Sequence, residues 1–226
     1  MADVFLNAIS YSMGDVSSSV VLSAKEGRLV SKAEVLAEAG FKQHFISSPH
    51  RTALDLAIEA CEKLPQGSLK NIGAILFSSC LPANQNVGSL EKAAETRDVK
   101  YYMDFPASRL QAKFHLDQAF VVGLCQQACT GLLFALRMAK DLLAAESDLQ
   151  SVLVITADRF PTDFLYEQAY NLISDGSVAV VVSRHPSGWK ILEGHSITNG
   201  ALSLASDDET VGTWFNYTHR LIEETL

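Results

Sequence analysis

The chain has 226 residues, 48% hydrophobic and 19% charged, which is enough apolar material for a substantial core and too little charge for a disordered segment. A formal net charge of −8 argues against a nucleic-acid partner, because phosphate-backbone binding needs a basic face. The opening MADVFLNAIS lacks the basic-then-apolar order of a secretory leader, and no run reaches the roughly 18 to 20 apolar residues of a membrane span. A globular cytoplasmic protein is the expectation.

In chain order, residues 3–11 (DVFLNAISY) and 72–79 (IGAILFSS) read as strands, with an amphipathic helix at 52–64 (TALDLAIEACEKL) between them, a βαβ unit. A weaker helical pattern follows at 88–97, and the polar and aromatic stretch 101–117 has no clear period. An apolar strand at 119–124 (AFVVGL) leads into a long helical pattern from about 129 to 146. Further strands are predicted at 151–157 (SVLVITA) and, after the turn SDG, at 177–183 (SVAVVVS). This alternation is that of a layered α/β domain. Near the end, a strand at 190–200 (KILEGHSITNG) and a helix at 215–226 (FNYTHRLIEETL) parallel the opening strand and its helix, the start of an internal duplication. The expected organisation is therefore a first unit over 1–187 and the beginning of a second over 188–226. A half-built second sheet would expose apolar surface, so a covering partner or further chain is expected.

Four cysteines, Cys61, Cys80, Cys125 and Cys129, do not form a disulfide framework in a chain this long and apolar. Cys125 and Cys129 lack a second ligand pair at metal spacing, so no metal site is predicted. The six histidines, His44, His50, His115, His185, His195 and His219, are dispersed, and surface or capping roles are expected for most of them.

The segment LCQQACTGLLFALRMAKDLL places Cys129 where a buried strand is expected to turn into a long helix. A helix N-terminus offers free N–H groups and the positive end of the dipole, both of which favour a thiolate. Gly131 leaves room for close approach of a substrate or another backbone, and the N–H of Cys129 could help hold an oxyanion. On these residues alone, a buried and inert thiol is the commoner role for such a cysteine, and the motif does not overturn that reading.

Four segments taken together, ACTGLLFAL (128–136), SVLVITAD (151–158), NLISDGSVAVVV (171–182) and GWKILEGHSITNG (188–200), resemble the ketosynthase III family of β-ketoacyl carrier-protein synthases. The resemblance is strong at 119–183 and faint at 84–117. It implies a thiolase-like layered α/β fold with the first repeat complete and the second truncated. It also implies that Cys129, at the cysteine of the family's A-C-x-G motif, is the acyl-accepting nucleophile. The family's G-D-G-A turn reads Ser174-Asp175-Gly176-Ser177 here. The implied reaction is attack of Cys129 on an acyl thioester and transfer of the acyl group to a second substrate.

Two departures accompany the resemblance. The family's catalytic His and Asn lie beyond FNYTHRLIEETL, and none of the six histidines occupies that place; His195 falls on the first strand of the second unit, where a structural role is expected. The family's Trp and Arg that clamp coenzyme A align with Glu34 and Glu38, ahead of Gly40-Phe41, and acidic groups repel a polyphosphate. An acyl donor on a carrier protein is therefore favoured over free acyl-CoA, although an acidic carrier would need a basic patch and Lys and Arg are scattered here. Expected are acyl carrier protein or coenzyme A thioester as substrate, no tightly bound cofactor, no assignable cofactor-binding residue, and a homodimer, or a heterodimer with a ketosynthase-like subunit, joined through strand 119–124. A non-catalytic partner subunit, or a piece inactive on its own, is the alternative.

Overall fold

A computed structural model describes residues 3–161, 163–168, 171–200 and 207–225. In chain order the elements are β1 (Phe5–Met13), β2 (Val16–Ser19), α1 (Val20–Lys25), α2 (Ala33–Glu38), β3 (Gln43–Ile46), α3 (Ala53–Glu62), β4 (Ile72–Ser78), α4 (Leu90–Thr96), α5 (Pro106–Lys113), β5 (Phe120–Leu124), α6 (Gly131–Ala145), β6 (Ser151–Asp158), β7 (Glu167–Gln168), β8 (Asn171–Leu172), β9 (Gly176–Ser183), β10 (Trp189–Lys190) and α7 (Asp207–Thr225). Short 3₁₀ turns lie at Pro82–Gln85, Val99–Tyr102 and Ala128–Thr130. No described helix is long and apolar enough to cross a membrane.

Six strands form one sheet in the order β10-β1-β9-β6-β4-β5. The β5, β4 and β6 strands run parallel, whereas β9 is antiparallel to both β6 and β1. Strands β1 and β4 therefore point the same way, as a βαβ unit requires, yet β9 and β6 lie between them. Alternation along the central strands divides their side chains between two cores. Ile75, Phe77, Leu153, Ile155, Ala179 and Val181 face the layer containing α3 and α5. Ala74, Leu76, Val152, Val154, Val180 and Val182 face α6. Central strands buried on both faces explain the nearly continuous apolar runs of the sequence.

Helix α3 begins with a capping box in which Thr52 accepts from the Asp55 N–H and the Asp55 carboxylate accepts from the Thr52 N–H. Its buried side is small, with Ala53, Ala57 and Ala60 around Leu56, so β1 approaches closely. Ser10 Oγ donates to Ala60 O at 2.5 Å and Ser12 Oγ to Leu56 O at 2.7 Å. At the far end of α6, Arg184 donates to the carbonyls of Leu143 in the last turn, a group the helix end leaves without a partner, and of Glu146 and Leu149 just beyond it.

Several expectations change. The segment 101–117 holds a 3₁₀ turn and α5, which Pro106 opens at a first-turn position that needs no N–H donor. Strand β5 lies at the sheet edge with Phe120 and Gly123 exposed, so the strand before Cys129 is half open rather than buried. The strand expected at 190–200 reduces to Trp189–Lys190, paired with Phe5 and Leu6 at the opposite edge. The Ile191 N–H still donates to Val4 O at 2.8 Å; residues 192–199 then lie against α6, where Lys140 Nζ donates to Leu192 O and Arg137 to Ser196 Oγ, each at 2.7 Å. A strand needs a neighbour for its N–H and C=O groups, and this segment finds side chains of α6 instead. His195 accordingly lies on no strand and pairs with Glu193 at 3.2 Å. The following helix spans Asp207–Thr225 among the described residues and is thus already formed ahead of the expected 215.

Candidate functional site

The C-terminal ends of β4, β5 and β6 converge, the place where α/β sheets carry their sites. Asp158, closing β6, organises this end. Its carboxylate accepts from Ser79 Oγ at 2.5 Å, from the Cys80 N–H at 3.0 Å and from Asn84 Nδ2 at 3.3 Å. The Leu124 carbonyl at the end of β5 accepts from the Ser79 N–H at 3.3 Å and from Gln85 Nε2 at 3.0 Å. The loop after β4 is thus fastened to both neighbouring strands and forms a fixed floor beside the segment 125–130.

Cys129 lies in the 3₁₀ turn Ala128–Thr130, two residues before α6 begins, and is exposed. Ala128 has φ of 43°, a left-handed conformation that costs an L-residue about 1 to 2 kcal/mol. The turn is held by Thr130, whose N–H and Oγ1 both donate to Gln127 O, at 3.0 and 2.7 Å. A strained residue immediately ahead of an exposed thiol, at the end of a strand, is the kind of backbone outlier that clusters at reacting groups. Gly131 permits close approach as expected, but to the protein itself: a Cβ there would collide with Ser78 Oγ of β4. The start of α6 therefore sits directly on the end of β4, which brings Cys129 to the floor.

Exposure separates the four thiols: Cys61 is buried and Cys80 half-buried, whereas Cys125 and Cys129 are exposed. Burial pushes Cys61 up to about 12, with a smaller contribution from Glu62. Burial also pushes Cys80 up to about 12, reinforced by the Asp158 charge and by a hydrogen bond to that carboxylate, with Cys129 near enough to add to the effect. Cys80 thus remains a protonated thiol beside the exposed one. Thiolate fraction governs alkylation, partly offset by the greater intrinsic reactivity of high-pKa thiols. With iodoacetamide at neutral pH, Cys61 and Cys80 should react at least about tenfold more slowly than an accessible ordinary thiol, and Cys129 should be the fastest of the four. Site-resolved mass spectrometry provides the order, and Cys129 as the slowest would remove its candidacy.

The turn Ser174-Asp175-Gly176-Ser177 supports this end of the sheet from behind. Asp175 is fully buried; its carboxylate accepts from the Ser47 N–H at 2.7 Å and the Phe160 N–H at 2.9 Å. A second buried network adjoins it. His44 Nδ1 donates to Ile173 O at 2.8 Å, and desolvation holds His44 below the ordinary histidine range, so its neutral Nε2 accepts from Ser23 Oγ at 2.7 Å. Tyr166 packs edge-on against the His44 ring with centroids 5.1 Å apart, and burial pushes its phenol up to about 12. Glu34 and Glu38 stand exposed on α2, and Gly40 after it takes φ of 95°.

Sequence reading singled out Cys129 and the Ser174–Ser177 turn. It missed Cys80, Asp158 and Ser79, which it had no means to join: Cys80 and Asp158 are 78 residues apart. The only available signal was position, since each stands just past an apolar strand.

Residues 125–200 match the family 3-oxoacyl-[acyl-carrier-protein] synthase III. No curated protein matches the chain. Among solved structures, a β-ketoacyl-acyl-carrier-protein synthase III from Thermus thermophilus is similar over 79% of this chain and 51% of its own, with 23% identity and a TM-score of 0.62. Another 3-oxoacyl-(acyl-carrier-protein) synthase III is similar over 89% of this chain and 56% of its own, with 20% identity and a TM-score of 0.64. The HMG synthase of the curacin biosynthetic pathway, solved in complex with acetyl donor carrier protein, is similar over 87% and 46%, with 18% identity and a TM-score of 0.60. The chain spans about half the length of the structures it matches. The chain therefore has the thiolase-like α/β fold of these structures, and residues 125–200, the stretch that holds Cys125 and Cys129, match the 3-oxoacyl-[acyl-carrier-protein] synthase III family.

Proposed function

We propose that the chain serves an acyl-thioester transferase or condensing enzyme in which Cys129 accepts the acyl group. The observation that carries this reading is the exposed Cys129 thiol, set immediately after strained Ala128 in the turn between β5 and α6 and within the matched segment 125–200. The thiolate would attack the thioester carbonyl, the carrier thiol would leave, and the acyl group would rest on sulfur until an acceptor takes it. The floor formed by Ser79, Cys80 and Asp158 fixes the position of the nucleophile; Cys80, kept protonated, contributes no competing thiolate. A general base for the thiol and, for a condensing reaction, a decarboxylation site are required in addition.

The proposed donor is an acyl group on a carrier protein. Exposed Glu34 and Glu38 on α2 disfavour a free polyphosphate, and the curacin HMG synthase, similar in fold, was solved with a donor carrier protein. Incubation with acyl-CoA and acyl carrier protein followed by intact-protein mass measurement tests the reading. An acyl adduct is expected, more readily from the carrier protein.

Association through β5 belongs to the same reading. The strand is an open edge with Phe120 exposed, and unpaired edges invite either pairing or aggregation. A two-fold pairing would continue the sheet into a second subunit. Val122→Lys places a charge on that strand and is expected to give monomer or insoluble protein where the parent is a dimer in analytical ultracentrifugation. A compact, soluble parent monomer at micromolar concentration would end this assignment.

A further inference from the structure

A cleft of about 880 Å³ opens between the N-terminal half of α3, the end of α5 and the loop around 83–88, within the size range of small-molecule sites. Its walls are apolar at Leu54, Ile58, Val87 and Pro161 and cationic at Arg109, Lys113 and Arg159. The loop wall belongs to 84–117, the part of the chain where the family resemblance is faint.

The three cations are not equivalent. Arg109 is clamped by Asp104, and Lys113 lies 3.7 Å from Glu62. Arg159 has no carboxylate within ion-pair distance among the described residues. Its Nη2 makes one long bond to Pro49 O at 3.4 Å, and its Nε–H is buried without an acceptor. The chain carries 26 acidic and 18 basic side chains, so a guanidinium left without a counter-charge in a concave site is not for want of carboxylates. Asp55, the acidic residue of the wall, is occupied by the N–H and Oγ1 of Thr52, at 2.8 and 2.7 Å.

We propose that this cleft binds a small molecule with an oxyanion headgroup, carboxylate or phosphate, which pairs with the Arg159 guanidinium while an apolar body lies along Leu54, Ile58 and Val87. A planar guanidinium is matched to either headgroup, and Lys113, only loosely held by Glu62 at 3.7 Å, can turn its ammonium toward the same anion. Cys129 does not line this cleft, although Asn84, which donates to Asp158, does.

Isothermal titration of the 226-residue chain with phenyl phosphate, benzoate, inorganic phosphate and benzylamine tests it. One-to-one saturable binding of phenyl phosphate or benzoate is expected, the stronger of the two naming the headgroup, with no binding of the cationic benzylamine. Arg159→Gln should weaken that binding at least tenfold. Lys113→Glu, an exposed change on α5 that leaves the core intact, should weaken it severalfold and serves if Arg159→Gln fails to fold. Cys129→Ala should bind as the parent does, so loss of acyl transfer and loss of this site are distinguishable. Absence of saturable binding at millimolar phenyl phosphate and benzoate, equal binding of benzylamine, or unchanged affinity in both charge variants would overturn the proposal.

Discussion

Asp175→Ala is expected to lower the free energy of unfolding by about 3 to 5 kcal/mol, a large share of what a domain has. The carboxylate is fully buried and receives the Ser47 and Phe160 N–H groups, while Tyr166 Oη lies 3.5 Å away. Removing it leaves two backbone donors without their acceptor, one on buried Ser47 and one on half-buried Phe160, at about 1 to 3 kcal/mol for a buried group. The surrounding backbone is committed to the same point: the Asp175 N–H donates to Phe45 O at 2.8 Å, and its carbonyl accepts from the Gly14 N–H at 3.0 Å. One residue therefore joins the ends of β1, β3 and β6 to the start of β9. Asp175→Asn should cost less, about 1 to 3 kcal/mol, since the amide retains one acceptor oxygen but turns a donor toward the other N–H. Urea denaturation followed by circular dichroism measures both. A loss under about 1 kcal/mol for Asp175→Ala would mean that the junction is held by packing and not by this carboxylate.

The parts of the fold legible in the sequence are those with a long, strong apolar signal. Strands β4, β6 and β9 are buried on both faces, and α3 and α6 bury one stripe, so each writes its period into the sequence. The short elements do not. Helices α1 and α2 have six residues each, and β2 and β3 four each, too few for a period to emerge from single residues. Helix α6 starts two residues later than Cys129 because Ala128 adopts a left-handed conformation, which nothing about alanine announces. Strand 190–200 failed for a different reason: its composition suits a strand, but pairing is decided by neighbours, and after Lys190 the chain meets α6 side chains.

The site divides in the same way. Cys129 was visible as a thiol between a strand and a helix, with the motif resemblance to support it. Its floor was not, because Asp158 reaches Ser79, Cys80 and Asn84 across more than seventy residues of chain. The buried chain from Ser18 through Ser23 and His44 to Ile173 O spans a still longer separation, 129 residues at its last bond. Single-sequence patterns report local periods; they do not report which distant polar residues will share a buried space.

Acylation of Cys129 is the other outcome with a large expected effect, because a covalent intermediate is present or absent rather than merely weakened. The 226-residue chain, incubated with an acyl carrier protein thioester and separately with acyl-CoA, should gain the mass of one acyl group on the peptide that contains Cys129. The adduct should disappear in Cys129→Ala and persist in Cys125→Ala and Cys80→Ala, since Cys80 is held protonated by burial and Asp158. An adduct that survives Cys129→Ala, or the absence of any adduct from either donor, would contradict the assignment of Cys129 as the acyl-accepting residue.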